Sequence, residues 1–146
     1  MNSFIFAPEF NTLCRQYGIR AFRDERLNEY LLTAFVSRFF WHCLDRDPDP
    51  VGLNGWVKGL QNGNLKGSDV ATEFVFSQEF LNRDTSAEEF LYILYAAFFG
   101  REPDAAGLQD WLVRLEAGAS RHDVLAGFMY AQEFYNLCQE YKIDPY

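Results

Sequence analysis

Few side chains in this sequence have the types and spacing that catalysis requires. His42 and His122 are the two histidines, and His42 adjoins Cys43. Adjacent residues of a helix point about 100° apart, so His42 and Cys43 would not face each other as base and nucleophile. No aspartate or asparagine is spaced to orient either histidine. We therefore predict no catalytic residue and no enzyme activity.

An acidic run offers a weak candidate for a metal site. Asp45, Asp47 and Asp49 alternate along the chain, and closely spaced oxygen ligands suit calcium. A calcium-binding EF-hand loop needs glycine at position 6 and glutamate at position 12, but counting from Asp45 these are Pro50 and Trp56. We predict no metal and no cofactor, and we interpret Asp49 as a helix cap.

The sequence segment that contains these acidic residues occurs twice along the chain. Residues 35–80 and 90–134 match at an offset of 55 positions, reduced by one after a single deletion. A period of this size indicates a repeat architecture. The first copy carries Arg46, Pro48, Asp49, Gly52, Leu53, Trp56, Leu60, Gly63, Asp69, Val70, Phe74, Gln78, Glu79 and Phe80. The second carries Arg101, Pro103, Asp104, Gly107, Leu108, Trp111, Leu115, Gly118, Asp123, Val124, Phe128, Gln132, Glu133 and Phe134.

The chain opens with part of a third copy. Residues 4–19 match residues 128–143 at Phe4, Ala7, Glu9, Phe10, Leu13, Cys14, Tyr17 and Ile19. We predict one helical domain made of a half-unit (1–23), unit one (24–84) and unit two (85–146). A partial unit either caps a stack or marks a chain cut from a longer protein, and the sequence leaves both open.

Hydrophobic spacing predicts an all-α fold. Apolar residues recur at helical period from Phe35 and again from Phe90, and no segment alternates as a strand would. In unit one the long helix is expected to begin near Asp24. Asp49 and Asp104 are good N-caps for a second helix, which a glycine ends. Each unit should hold four helices (long, medium, short, short) that share one core with the half-unit.

Two residue pairs recur in both units and are expected to be structural. Trp56 and Trp111 share a helix face with leucines, which favours core anchors over platforms for sugars. Arg46 and Arg101 follow a helix end, where a guanidinium complements the helix dipole and can bind a carboxylate. Within the same unit, Glu79 or Glu133 could supply that carboxylate.

The residues outside the repeat are the better candidates for contact with a partner. Trp41 has no aromatic counterpart, because Ala96 occupies the matching position in unit two. The connection predicted over residues 18–25, which includes Arg23, also lies outside the repeated residues of the two units. We therefore predict a contact surface around Trp41 and Arg23.

Composition excludes several classes of function. The formal net charge is −8 and the pI is about 4.7, whereas nucleic-acid binding needs a basic patch. No apolar run approaches the ~20 residues of a membrane span. The first ten residues lack the pattern of a secretory signal. Cys14, Cys43 and Cys138 are odd in number and lie in apolar helical patterns, which favours buried, reduced thiols.

The repeated frame resembles a known family. Arg-x-Pro-Asp-x-x-Gly-Leu-x-x-Trp, followed by Leu-x-x-Gly, Asp-Val and Ser-x-Glu-Phe, resembles the bacterial domain of unknown function numbered 4214. Residues 100–108 match closely, and unit one departs at Asp45, where the family usually has glycine. More distantly the family resembles the helical linker domains of phycobilisomes, although those linkers tend to be basic. The resemblance implies a non-catalytic helical module of bacterial secreted or surface proteins.

These observations support one leading function and two alternatives. We expect an interaction or assembly module that binds a partner protein or another copy of itself. The first alternative is a carbohydrate-binding module with exposed aromatic residues, and the second is an accessory domain of an enzyme. The resemblance favours an extracellular or cell-surface location without excluding the cytoplasm.

Overall fold

The computed structural model describes residues 20–146, and side chains from residue 26 onward. That part of the chain is all-α, as predicted, with eight α-helices and no strand. The helices are α1 (Arg20–Leu44), α2 (Pro50–Gln61), α3 (Gly67–Val75), α4 (Gln78–Leu81), α5 (Ala87–Leu94), α6 (Ala105–Glu116), α7 (Arg121–Met129) and α8 (Gln132–Glu140). A π-helical turn, Tyr95–Phe99, continues α5. No helix among these could span a bilayer.

Some sequence predictions fall outside this description. Most of the half-unit and Cys14 lie before residue 20, and the side chain of Arg23 lies outside the described residues. The division into a half-unit and two units therefore stays a prediction.

The predicted helix starts are largely confirmed. The Asp49 carboxylate accepts a hydrogen bond of 2.8 Å from the backbone N–H of Gly52, and Asp104 accepts one of 3.0 Å from Gly107. Pro50 follows Asp49 as the first helical residue, where its missing N–H costs nothing. Both aspartates thus cap the second helix of their unit, as the sequence indicated.

The beginning of α1 differs from the prediction. The helix begins at Arg20 and not near Asp24, so residues 20–25 are helical and do not form a connection. In unit two the long helix begins only at Ala87, after a capping box between Ser86 and Glu89. Ala87 matches Leu32 in the repeat, so α1 extends twelve residues further toward its N-terminus than α5 does.

The described helices bury one continuous aromatic core. Phe39 and Phe98 lie at its centre, with ring centroids 5.7 Å apart in an edge-to-face arrangement. Phe39 also packs on Phe74 of α3, and Phe98 on Phe128 of α7. Since Phe74 and Phe128 are repeat equivalents, each third helix contributes the same ring to one shared centre.

The segment that follows α4 contacts the start of α7, and the segment that follows α8 contacts the start of α3. Arg121, at the start of α7, donates hydrogen bonds to the side chain and the carbonyl of Thr85, at 3.0 and 2.6 Å. At the start of α3, the N–H groups of Gly67 and Ser68 donate to the carbonyls of Asp144 and Pro145, at 2.8 and 2.7 Å. The segment after α4 therefore supports α7, and the segment after α8 supports α3.

Candidate contact surface

The predicted partner of each repeated arginine is the one the structure provides. Arg46 donates from Nε and Nη2 to the two carboxylate oxygens of Glu79, at 2.7 and 3.0 Å. Arg101 binds Glu133 in the same way, at 2.9 and 2.8 Å. Two parallel hydrogen bonds fix the plane of the guanidinium as well as its position. We call each arrangement an arginine clasp.

The clasps carry further contacts that hold the arginines in place. The Arg46 guanidinium lies over the Phe40 ring at 5.0 Å, and that of Arg101 lies over Tyr95 at 5.1 Å. Hydrogen bonds from the guanidinium lower the pKa of Glu79 and of Glu133 below the usual value. Each arginine is therefore held between a carboxylate and a ring of its own unit.

The acidic loop between α1 and α2 uses its carboxylates within the chain. Asp49 caps α2, and its pKa is lowered chiefly by the N–H of Gly52. Asp47 accepts a hydrogen bond of 3.0 Å from the indole of Trp41. Asp45 has a left-handed backbone with φ of 53°, where the matching Gly100 has 67°. Among the described side chains, no three histidines, cysteines or carboxylates group as metal ligands would.

Trp41 is the tryptophan that the repeat does not explain. It lies near the end of α1, half of its surface is exposed, and Asp47 fixes its indole N–H. An exposed tryptophan held by a hydrogen bond loses little side-chain entropy on contact with a partner, because its rotamer is already restricted. The structure therefore places Trp41 at the surface, with its indole partly pre-ordered by Asp47.

Trp56 and Trp111 pack on the core without entering it fully. Trp56 lies 5.1 Å from the Phe74 ring, and Trp111 lies 5.3 Å from Phe128. Both indoles are partly buried, and α6, the helix of Trp111, has no fully buried residue. The second helix of each unit is therefore an outer layer that its tryptophan attaches to the core.

The groups that could act as nucleophile or base are kept apart. Cys43 is fully buried, whereas its neighbour His42 is exposed. Burial raises the pKa of the Cys43 thiol to about 12. The pKa of His42 is lowered, mainly because its ring is partly shielded from water by the neighbouring protein and then by the Arg38 charge. His122 stacks on Phe76 with ring centroids 3.8 Å apart, far along the chain from either residue.

Two arginines that bind helix ends were missed from the sequence. Arg38 donates to the carbonyls of Ala96 and Ala97 in the π-helical turn, at 3.1 and 2.9 Å. Arg83 donates to the carbonyl of Cys43 at the end of α1, at 2.6 Å. Their repeat counterparts are apolar, namely Ile93 and Leu137, so comparison of the two units could not reveal them. The last carbonyls of a helix have no donor within the helix, and this need for a partner is the general rule that could have indicated such arginines.

A shallow groove beside Trp111 is a further candidate for a binding site. It encloses about 380 Å³ and is lined by Trp111, Arg114, Asp123 and Gly127 among others. The Arg114 guanidinium lies 4.9 Å over the Trp111 ring. In unit one Glu73 takes the place of Gly127, so the residues at this position of the groove differ between the units.

The fold and the paired clasps define a helical module with an internal repeat. A family described as Domain of unknown function (DUF4214) matches residues 24–83 and 71–138. The chain belongs to this family, since the two matches together span most of its length. No curated protein and no solved structure matches the chain. The functional argument therefore rests on the residues of this chain.

Proposed function

We propose that this chain is a non-catalytic interaction module that assembles with copies of itself or with a partner protein through the surface around Trp41. The supporting observation is the half-exposed indole of Trp41, ordered by Asp47 and absent from unit two. Tryptophan is enriched among residues that dominate the energy of protein interfaces. The bacterial, surface-associated or secreted setting comes from the family resemblance alone.

Charge and thiol chemistry are consistent with this proposal. The net charge of −8 favours solubility over adhesion to acidic polymers. Cys43 and Cys138 are buried with the pKa of each thiol raised to about 12, so neither is available as a thiolate nucleophile near neutral pH. The arginine clasps, in turn, have intramolecular partners. Trp41 is left as the residue whose position serves contact better than stability.

The molar mass in solution tests the self-associating form of the proposal. We would measure light scattering on a sizing column over a range of loading concentrations. Wild-type mass should rise with concentration, and the rise should be smaller for Trp41→Ala. Val113→Ala is the matched control, because Val113 is also half exposed but lies on α6. A wild type that is monomeric at every concentration, and indistinguishable from Trp41→Ala, would contradict self-association.

The groove beside Trp111 favours carbohydrate as a second candidate ligand. It combines an indole with a guanidinium and a carboxylate, the groups that stack on and hydrogen-bond to sugars. Titration with soluble polysaccharides, followed by tryptophan fluorescence, should saturate in the wild type and be lost in Trp111→Phe with Arg114→Ala. The response should survive in Trp41→Ala. A wild type whose fluorescence does not change with any polysaccharide would reject this candidate.

A further inference from the structure

The N-terminal partial copy carries the buried face of the C-terminal segment. At the eight positions where residues 4–19 match residues 128–143, five side chains of the C-terminal segment are buried: Phe128, Phe134, Leu137, Cys138 and Ile143. Of the other three, Tyr141 packs on Phe35, Glu133 is held in the clasp by Arg101, and Ala131 precedes α8.

The positions that differ between the two copies lie mainly at the surface. The exposed ones in the C-terminal segment are Tyr130, Gln132, Tyr135, Asn136, Gln139, Glu140 and Lys142. The remaining one is the partly buried Met129, where the N-terminal copy has another apolar residue, Ile5. The N-terminal segment thus keeps the residues that pack in the C-terminal segment and changes those that face water there.

The site that receives the C-terminal segment is built from both units. Phe98 contacts Phe134 at 5.0 Å between ring centroids, and Arg101 binds Glu133. Phe35 contacts Tyr141 at 5.7 Å. A Cβ at Gly67 would lie 2.9 Å from the Cys138 sulfur, so α3 approaches the segment closely. We call this site the tail cleft.

We propose that residues 4–19 of one copy bind in the tail cleft of a second copy, in place of that copy's residues 128–143. The segment offers Glu9 to Arg101, Phe10 to Phe98, and Tyr17 to Phe35. Cys14 takes the place of Cys138 beside Gly67. Such an exchange of equivalent elements between chains is a route to assembly that reuses the contacts already present in the cleft.

The length of α1 directs the segment to a second copy. Ile143 lies beside Leu32 of α1, where both line the same recess. Its match, Ile19, directly precedes Arg20, the first residue of α1. Twelve residues of helix rise about 18 Å. Arg20, to which the segment is joined, therefore lies about that far from Leu32 along the helix, and the segment cannot place Ile19 beside Leu32 of its own chain.

A cysteine introduced at Gly67 reports which segment occupies the tail cleft. In a Gly67→Cys, Cys14→Ser chain, oxidised glutathione should join position 67 to Cys138 within one chain, since the introduced Cβ would lie 2.9 Å from that sulfur. This bond would also show that the substitution is compatible with the fold. In a Gly67→Cys, Cys138→Ala chain, the introduced thiol should instead bond to Cys14 of a second chain.

The expected product is a dimer on a non-reducing gel, with the peptides that contain positions 14 and 67 joined in mass spectrometry. The matched control is Gly67→Cys, Cys138→Ala, Cys14→Ser, which should give no dimer. Free thiols at positions 14 and 67, or a bond between them within one chain, would overturn the proposal. Adding Trp41→Ala should leave the dimer yield unchanged, which separates this inference from the contact surface around Trp41.

Discussion

Arg101 holds Glu133 by two hydrogen bonds of 2.9 and 2.8 Å between groups separated by 32 positions in the chain. The equivalent Arg46 holds Glu79 at 2.7 and 3.0 Å. Each clasp joins the loop after the long helix of a unit to the first turn of its fourth helix. The repeat therefore preserves a connection that closes each unit.

The clasps should contribute modestly to stability because they are exposed. About 40% of each arginine side chain is accessible, and exposed ion pairs contribute roughly 0.2–1 kcal/mol. A double-mutant cycle with Arg101→Ala and Glu133→Ala, measured by urea unfolding, should give a coupling energy near the upper end of that range. A coupling energy near zero would mean that the bidentate geometry contributes nothing in solution.

Acid should weaken the clasps. The pKa values of Glu79 and Glu133 are lowered in the folded chain by their arginines. Their stabilisation is therefore present above the ordinary carboxyl pKa of 4.5 and is lost as the pH falls through the lowered folded values. Urea midpoints measured from pH 7 to pH 3 should fall less steeply for Glu79→Gln, Glu133→Gln than for wild type. Parallel pH profiles would contradict the assignment.

The three tryptophans should differ sharply in their effect on stability. Trp111→Ala should lower the free energy of unfolding by about 2–4 kcal/mol. The same substitution at a fully buried tryptophan costs about 3–5 kcal/mol, and this indole is only partly buried. Trp56→Ala should behave similarly. Trp41→Ala should change the free energy of unfolding by less than about 0.5 kcal/mol. Urea melts of the three variants check this order, and a large loss for Trp41→Ala would make that residue structural.

Two glycines in exposed helix positions should respond oppositely to alanine. Gly55 has no atom within 4 Å of an added Cβ, so Gly55→Ala should stabilise by about 0.5–1 kcal/mol through helix propensity. A Cβ at Gly127 would overlap the Trp111 indole, so Gly127→Ala should destabilise despite the same gain in propensity. Thermal melts compare the two variants, and a stabilised Gly127→Ala would show that the Trp111 indole moves freely.

The buried cysteines should resist alkylation in the native state. Burial raises the pKa values of Cys43 and Cys138 to about 12, and only the thiolate reacts. At a protein concentration low enough to keep the chain monomeric, iodoacetamide at pH 8, followed by mass spectrometry, should label both rapidly in urea and only at the rate of unfolding in buffer. Fast native labelling of Cys138 alone would instead show that the segment around α8 leaves the tail cleft.

The sequence predicted the repeated features of this fold well, because local rules determine them. Asp49 and Asp104 cap helices through a side chain acting three residues ahead, and hydrophobic period fixes which faces are buried. Arg46 and Arg101 were predicted as structural with the correct carboxylates. These features depend on short range or on comparison between the units, and both are available in a single sequence.

Most features that were wrong or missed depend on contacts between residues far apart in the chain. The start of α1 at Arg20 was placed too late, since no capping residue of the usual kind marks it in the sequence. Arg38 and Arg83 bind carbonyls about 40 to 60 positions away, and no local pattern indicates such partners. The contacts of Thr85 with α7 and of Asp144 with α3 likewise arise only when distant parts of the chain pack together.

The indole N–H resonances of the three tryptophans test the proposed contact surface most directly. With ¹⁵N-labelled protein assigned by single Trp→Phe variants, we would raise the protein concentration and record each resonance. The account predicts that the Trp41 resonance shifts or broadens, while those of Trp56 and Trp111, attached to the core, stay in place and serve as internal controls. A Trp41 resonance that never changes while the molar mass increases would contradict the proposed contact surface around Trp41, because association would then occur elsewhere.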